Sequence, residues 1–269
     1  MKEKPPILRN KYYAESTIFT ADNLLREARR QKSLTQNRVP SICLLDPDGD
    51  IVRWLIDTYD LTLDAKWACY HTDLYRFNFE EVHYGIVGCA VGASFAVLVA
   101  EELFACGAEL VISVTSAGQI NPIGEPPYFV LIEQALRDEG TSYHYLPPSD
   151  FSQLSPDLRS LTKRACSRAL LPVYRGATWT TDAPFRETES AITHYRELGI
   201  LAVEMEAAAL YAMAQARQKS IVCLAHVTNQ MAQSEGDFEK GVANGSQDAL
   251  HVVSLISKAW QHRQRSETD

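Results

Sequence analysis

Apolar runs of strand length alternate with helix-length stretches from residue 20 to residue 262, and nothing else in the sequence restricts the fold as tightly. VPSICLL (39–45), KWACYHTDLYRFNF with VHYGIVGCA, ELVISV, PVYRGATWTT, LAV and SIVCLAHVTN are rich in β-branched and aromatic residues and predict strands. Between them lie helical patterns: Thr20 capping a helix to about Lys32, a helix after DPDGD carrying Ile51, Val52, Leu55 and Ile56, GASFAVLVAEELFACG ending at Gly107, residues 155–170, Thr188 to Gly199, about Met205 to Lys219, and 247–262. YFVLIEQAL reads equally as strand or helix. Glu80 and Glu81 separate a pair of strand-like runs and predict a hairpin. Strands alternating with helices predict an α/β class: a three-layer α/β/α arrangement around a mostly parallel, partly mixed, twisted sheet. Residues 1–38 read as an N-terminal extension with one helix, and 39–269 as a single domain.

Composition narrows the class. Apolar residues make up 46% of the 269 positions and charged residues 22%, as in ordinary globular proteins. No run approaches the roughly 18 apolar residues of a membrane span, and the N-terminus lacks a signal-peptide core. The net charge of −8 is uneven: the first 40 residues are basic and the remainder acidic, which argues against a nucleic-acid partner. Six scattered cysteines without a CxxC pair predict reduced, buried thiols in a cytoplasmic protein, and no His, Cys or carboxylate spacing predicts a metal site.

In α/β folds ligands gather at strand ends. Four of these carry small or polar residues: GCAVGAS, VTSAGQ, WTTDAPFRET and VTNQ. A fifth strand, LAV, runs into EMEAAALYAMA, where Glu204 and Glu206 flank Met205 inside an apolar stretch. A carboxylate there needs backbone donors or a polar ligand. The segment around Ser94 has some of a nucleophile-elbow pattern, and Ser94, Asp182 and His226 fall in hydrolase order, but the second small residue and an oxyanion loop are missing.

Taken together, GCAVGAS, VTSAGQI, TTDAPF and VEMEAAALYAMA resemble, in order and spacing, the nucleoside phosphorylase and nucleosidase superfamily, nearest its uridine-phosphorylase-like branch. The resemblance runs from about Ser41 to Trp260; DPDGDIV is similar to the branch's GDPDRV and VTNQMAQ to its strand-end segment. It implies an enzyme that cleaves the N-glycosidic bond of a nucleoside, uridine-type or 6-oxopurine, with inorganic phosphate as co-substrate and no other cofactor. It implies a homodimer or hexamer, with the basic N-terminal segment joining subunit packing or covering the site. Glu206 and Met205 are implied as ribose contacts, and Glu206 as the catalytic carboxylate, ionised and receiving sugar hydroxyls. Two roles are open for Glu204: catalytic, near the sugar, or structural, on backbone amides. Ala117, Gly118, Phe185, Arg186, Thr188 and Asn229 are implied around the base, and Ser116, Gly92 and His71 around phosphate. Where purine-cleaving relatives often place a protonating Asp, this chain has Asn229, which favours a base held by hydrogen bonds.

The departures concern phosphate. The arginines of the branch fall at Gly49, at Ser113 and near Tyr70 or His71. Arg76, Arg175 and Arg186 are candidates to replace them, and backbone amides near Gly92 and Gly118 a candidate anion nest. Two alternatives therefore stand beside the phosphorylase: a hydrolytic nucleosidase with Glu204 or Asp46 serving the water, and a non-catalytic nucleoside binder.

Overall fold

A computed structural model describes residues 5–231 and 235–268. After α1 (Ala21–Lys32) the chain alternates through β1 (Ile42–Asp46), α2 (Asp50–Thr58), β2 (Thr62–Leu63), β3 (Tyr75–Phe79), β4 (Val82–Gly88), α3 (Ala93–Ala105), β5 (Leu110–Gln119) and β6 (Tyr128–Asp138). It continues through β7 (Phe151–Gln153), α4 (Pro156–Cys166), β8 (Val173–Thr181), α5 (Glu189–Glu197), β9 (Ile200–Glu204), α6 (Ala207–Arg217), β10 (Ser220–Asn229) and α7 (Ser246–Thr268). The ambiguous segment at 128–138 is strand β6. Its residues are buried on both faces, which removes the alternation that would have marked it as a strand.

Local chemistry sets the element ends. Thr20 Oγ1 accepts the Asn23 amide and Thr188 Oγ1 the Ala191 amide, starting α1 and α5. Ile51, Val52 and Leu55 of α2 are buried as their spacing predicts, but Ile56 is exposed. The β3–β4 hairpin turns at Glu80 and Glu81, both at positive φ (45° and 69°). Such a turn normally takes Asn or Gly. Here Glu80 is held from α7 by Lys258 Nζ (2.8 Å) and Ser254 Oγ (2.7 Å), and Lys258 foremost holds its carboxyl down at about 2.

The strands run in the order β10–β6–β8–β9–β5–β1–β4–β3–β2, with β7 on β6. Helices α2, α4 and α7 pack together as one layer and α1, α3 and α6 as another. Among the described residues parallel and antiparallel pairings are equal in number, so the sheet is more mixed than the sequence suggests. It also closes on itself: β10 pairs with β5 as well as β6, so β5, β9, β8, β6 and β10 form a ring. Twist accumulates from strand to strand and permits that closure. Buried Tyr211 of α6 pins it, donating its hydroxyl to Ile132 O (2.6 Å) and accepting the Cys223 amide (3.0 Å).

The end of β5 divides between two neighbours. Gly118 pairs with Val203 of β9 and, past a register shift, with Asn229 of β10. Three predicted strand ends thereby meet. Five of the cysteines are buried; Cys89, contrary to expectation, is exposed. No helix among the described residues is long and apolar enough to cross a membrane.

Candidate active site

Glu204 and Glu206 stand at the β9–α6 junction, both buried (3% and 1% exposed). Glu204 is saturated. Its Oε1 accepts the hydroxyls of Thr178 (3.1 Å) and Thr180 (2.5 Å), and its Oε2 accepts the amides of Glu206 and Ala207 (2.7 Å each). Thr180 Oγ1 in turn accepts the Ala208 amide (2.9 Å). Of the two roles open for Glu204, this geometry is the structural one: it caps α6 and leaves no lone pair for a substrate or a water.

Glu206 is different. Its Oε1 accepts the Gly92 amide (2.7 Å), while its Oε2 has no hydrogen-bond partner; the nearby Thr115 hydroxyl donates to the Ser116 carbonyl. Burial, then the Glu204 charge, push its carboxyl up to about 8. Burial raises Glu204 as well, opposed by the four donors that favour its charged form. The expected ionised Glu206 depends on hydroxyl donors that arrive with a substrate, and in the protein alone burial shifts it toward the protonated form. An orphaned buried oxygen is costly unless a ligand completes it.

The predicted phosphate donors are occupied from within. Ser116 donates its amide (2.7 Å) and its hydroxyl (2.8 Å) to the two oxygens of Asp48, a carboxylate standing where the resemblance implies phosphate. Gly92 spends its amide on Glu206, so it adds none to an anion nest. His71 is exposed, edge-on to Phe95, and outside the cavity lining. None of the candidate arginines replaces those missing: Arg76 pairs with Asp64, Arg175 with Glu133, and Arg186 is exposed beyond the lining. Asp46, the other carboxylate considered for a water, caps α2 by accepting the Gly49 and Val52 amides.

Beside the glutamates lies a cavity of about 360 Å³, of a size that suits a small ligand. Ser116, Ala117 and Gly118 line it from β5, Pro184, Phe185 and Glu187 from the β8–α5 loop, Val203, Glu204 and Met205 from β9, and Asn229 and Met231 from the end of β10. Ala117, Gly118, Phe185, Met205 and Asn229 thus line one cavity. Phe185 is fully exposed at the rim. Thr188 is absent from the lining, its hydroxyl given to the α5 cap. Asn229 lines the wall with its amide already engaged: Nδ2 donates to Thr228 Oγ1, and Oδ1 accepts the Met231 amide. Gly118 has a steric reason to be glycine, since a Cβ there would meet Met231 Sδ at 2.6 Å and Val203 Cγ1 at 3.3 Å. Ala232 and Gln233 of the VTNQMAQ segment lie outside the described residues.

Ser94, Asp182 and His226 form no relay: Ser94 is exposed, Asp182 accepts the Gly140 amide, and buried His226 stacks on Phe129. Asp48, Thr178, Thr180, Glu187 and Met231 were not foreseen. Only the alternation in TWTT hinted that Thr178 and Thr180 share a face; Asp48 and Ser116 are 68 residues apart, beyond any local pattern. Two larger hollows, one between α1, α3 and α6 and one between α4 and α6, do not reach the glutamate pair.

Comparison with known proteins bears on the family and the fold. The sequence model of the family described as the phosphorylase superfamily matches residues 41–258. A purine nucleoside phosphorylase of Plasmodium vivax is 24% identical over 239 residues, covering 85% of this chain and 95% of its own. Among solved structures, a uridine phosphorylase from Vibrio fischeri ES114 superposes with a TM-score of 0.69 at 21% identity (86% and 96% coverage). A purine nucleoside phosphorylase from Toxoplasma gondii, in complex with immucillin-H, gives 0.71 at 17% identity (85% and 93%). At these identities the structures establish a shared fold.

Proposed function

The chain belongs to the phosphorylase superfamily, and from that premise we propose that it cleaves the N-glycosidic bond of a nucleoside, the sugar held at Glu206 and Met205 and the base in the adjoining cavity. One observation carries this reading: the Glu206 oxygen without a partner, beside one fixed by Gly92. Sugar hydroxyls supply the missing donors. They favour the carboxylate and draw Glu206 from its proton. As the bond to the base lengthens, positive charge grows on the sugar, and Glu206, ionised once the sugar hydroxyls bind, stabilises it with the neighbouring carboxyl groups of Glu204 and Asp48. Glu204 acts as a positioning residue, setting the turn that aims Glu206.

The family relationship favours phosphate as the attacking group, giving a pentose 1-phosphate and the free base. A second reading, attack by water, is favoured by Asp48, which already fills the Ser116 donors. Phosphate must displace that carboxylate, whereas water need not. Release of base from uridine, inosine and guanosine, measured with and without phosphate, tests the proposal. Release that requires phosphate, with half-saturation eased in Asp48→Asn, supports phosphorolysis. Equal release without phosphate supports hydrolysis, and no release from any nucleoside defeats both. The same reading takes the enzyme to be cytoplasmic and a homodimer or hexamer, with no metal.

A further inference from the structure

We propose that Ser246 and His226 are positioning residues: they hold a single buried water at the start of α7 and through it fix Asp48 on the Ser116 donors, so that phosphate has to break this bridge to bind. This rests on the reading of the Ser116 donors as the place of an attacking phosphate.

Asp48 and Ser116 also line a second cavity, of about 20 Å³, whose wall includes Asp46, Asp50, His226 and Ser246. Ser246, the first residue of α7, is 1% exposed, and its hydroxyl has no hydrogen-bond partner. A buried hydroxyl is costly unless something completes it. A sharp turn delivers it there: Ala243, Asn244 and Gly245 all take positive φ (53°, 53° and 72°). His226 is buried as well and makes no hydrogen bond among the described residues. Its ring stacks on Phe129 (4.7 Å between centroids) and lies against Gly245, where a Cβ would come within 2.8 Å of Nε2. Burial pushes its imidazole down to about 4, so the ring is neutral near pH 7 and keeps one nitrogen as an acceptor.

Two unused polar side chains and a carboxylate thus line a space the size of one small molecule. A buried site holds a water when it offers about 10–15 Å³ or more and two to four polar partners. Both conditions are met. Asp48 has lone pairs to spare, since each of its oxygens accepts one hydrogen bond from Ser116. The water accepts the Ser246 hydroxyl and donates its two hydrogens, one to Asp48 and one to the His226 acceptor. A metal ion fits less well. Asp46 is committed to the Gly49 and Val52 amides and Asp50 to Arg53 and Lys240. No group of three or more His, Cys, Asp or Glu side chains among the described residues is placed to hold one. The bridge ties Asp48 to β10 and α7 as well as to β5, and that added hold is what an incoming phosphate has to overcome.

A high-resolution crystal structure of the wild type and of Ser246→Ala, with calorimetric binding of inorganic phosphate to wild type, Ser246→Ala and Asp48→Asn, tests this. We expect one solvent peak in the wild type within hydrogen-bond distance of Ser246 Oγ, a His226 ring nitrogen and an Asp48 oxygen, and no such peak in Ser246→Ala. Loss of one partner from the bridge should let phosphate bind about fivefold more tightly to Ser246→Ala, and more tightly still to Asp48→Asn, where the competing charge is gone. A merely structural hydroxyl would move the melting temperature and leave phosphate affinity alone. No peak in the wild type, a peak out of reach of Asp48, or an affinity unchanged in Ser246→Ala overturns the proposal. If Asp48→Asn gains affinity and Ser246→Ala does not, the phosphate reading stands and the bridge falls. If none of the three proteins binds phosphate, that reading falls and the role of the bridge with it. Neither measurement uses a nucleoside, so both outcomes are distinct from a failure to release base.

Discussion

Glu204 accepts four hydrogen bonds and Glu206 one, although a single residue separates them. The same substitution should therefore act differently at the two positions. Glu206→Gln keeps an oxygen for the Gly92 amide; we expect kcat/KM to fall by about 10²–10³ with the fold intact, checked by steady-state kinetics beside thermal unfolding. Glu204→Ala strands two amides and two threonine hydroxyls, and should lower the unfolding free energy by about 3 kcal/mol or more, read from urea titration. The pH dependence has a definite sign. The carboxyl of Glu206 is raised in the folded protein to about 8, so its contribution to stability is present below its ordinary carboxylate range and lost as pH rises through about 8. If sugar hydroxyls bind the ionised form, as proposed, nucleoside affinity should weaken as pH falls below about 8, with a proton released on binding. Calorimetry in buffers of different ionisation enthalpy measures that proton; its absence at pH 7 would contradict the account.

At the scale of elements, the seam where β5 divides between β9 and β10 sets the floor of the cavity. Gly118→Ala places a methyl against Met231, Val203 and Asn229. Because Gly118 has no positive φ to lose, the fold should survive while KM rises by about tenfold, as kinetics and a melting curve can show together. Much of this level is legible in the sequence. Caps at Thr20 and Thr188 and the apolar spacing of α7 are local signals, read within a turn or two. Strand β6 is not so marked, because burial on both faces erases its alternation. The closed ring was hidden for another reason: pairing β10 with both β5 and β6 is decided by twist and packing between distant segments. The site divides in the same way. Ala117, Gly118, Met205 and Asn229 were legible from motifs; the Asp48–Ser116 contact and the unpartnered Ser246 beside it appear only when loops far apart in sequence are placed together.

At the scale of the whole molecule, the N-terminal segment bears on the core directly. Leu25 and Ala28 of α1 are buried, and α1 packs against α3, whose first turn follows Gly92. We propose that the segment folds with the rest of the chain. Deleting residues 1–30 removes two buried apolar side chains and uncovers α3, which should lower the melting temperature by several degrees and weaken activity through the Gly92–Glu206 contact. A truncated protein with unchanged melting and turnover would separate the extension from the domain. The proposed function rests on a sugar held by one buried carboxyl, Glu206, while its bond to a base is broken. Base release from a panel of uridine, inosine and guanosine, followed side by side in wild type and Glu206→Gln, tests this most directly: the account predicts release by the wild type and a loss of at least about a hundredfold in the variant, and equal release by the two proteins would contradict it.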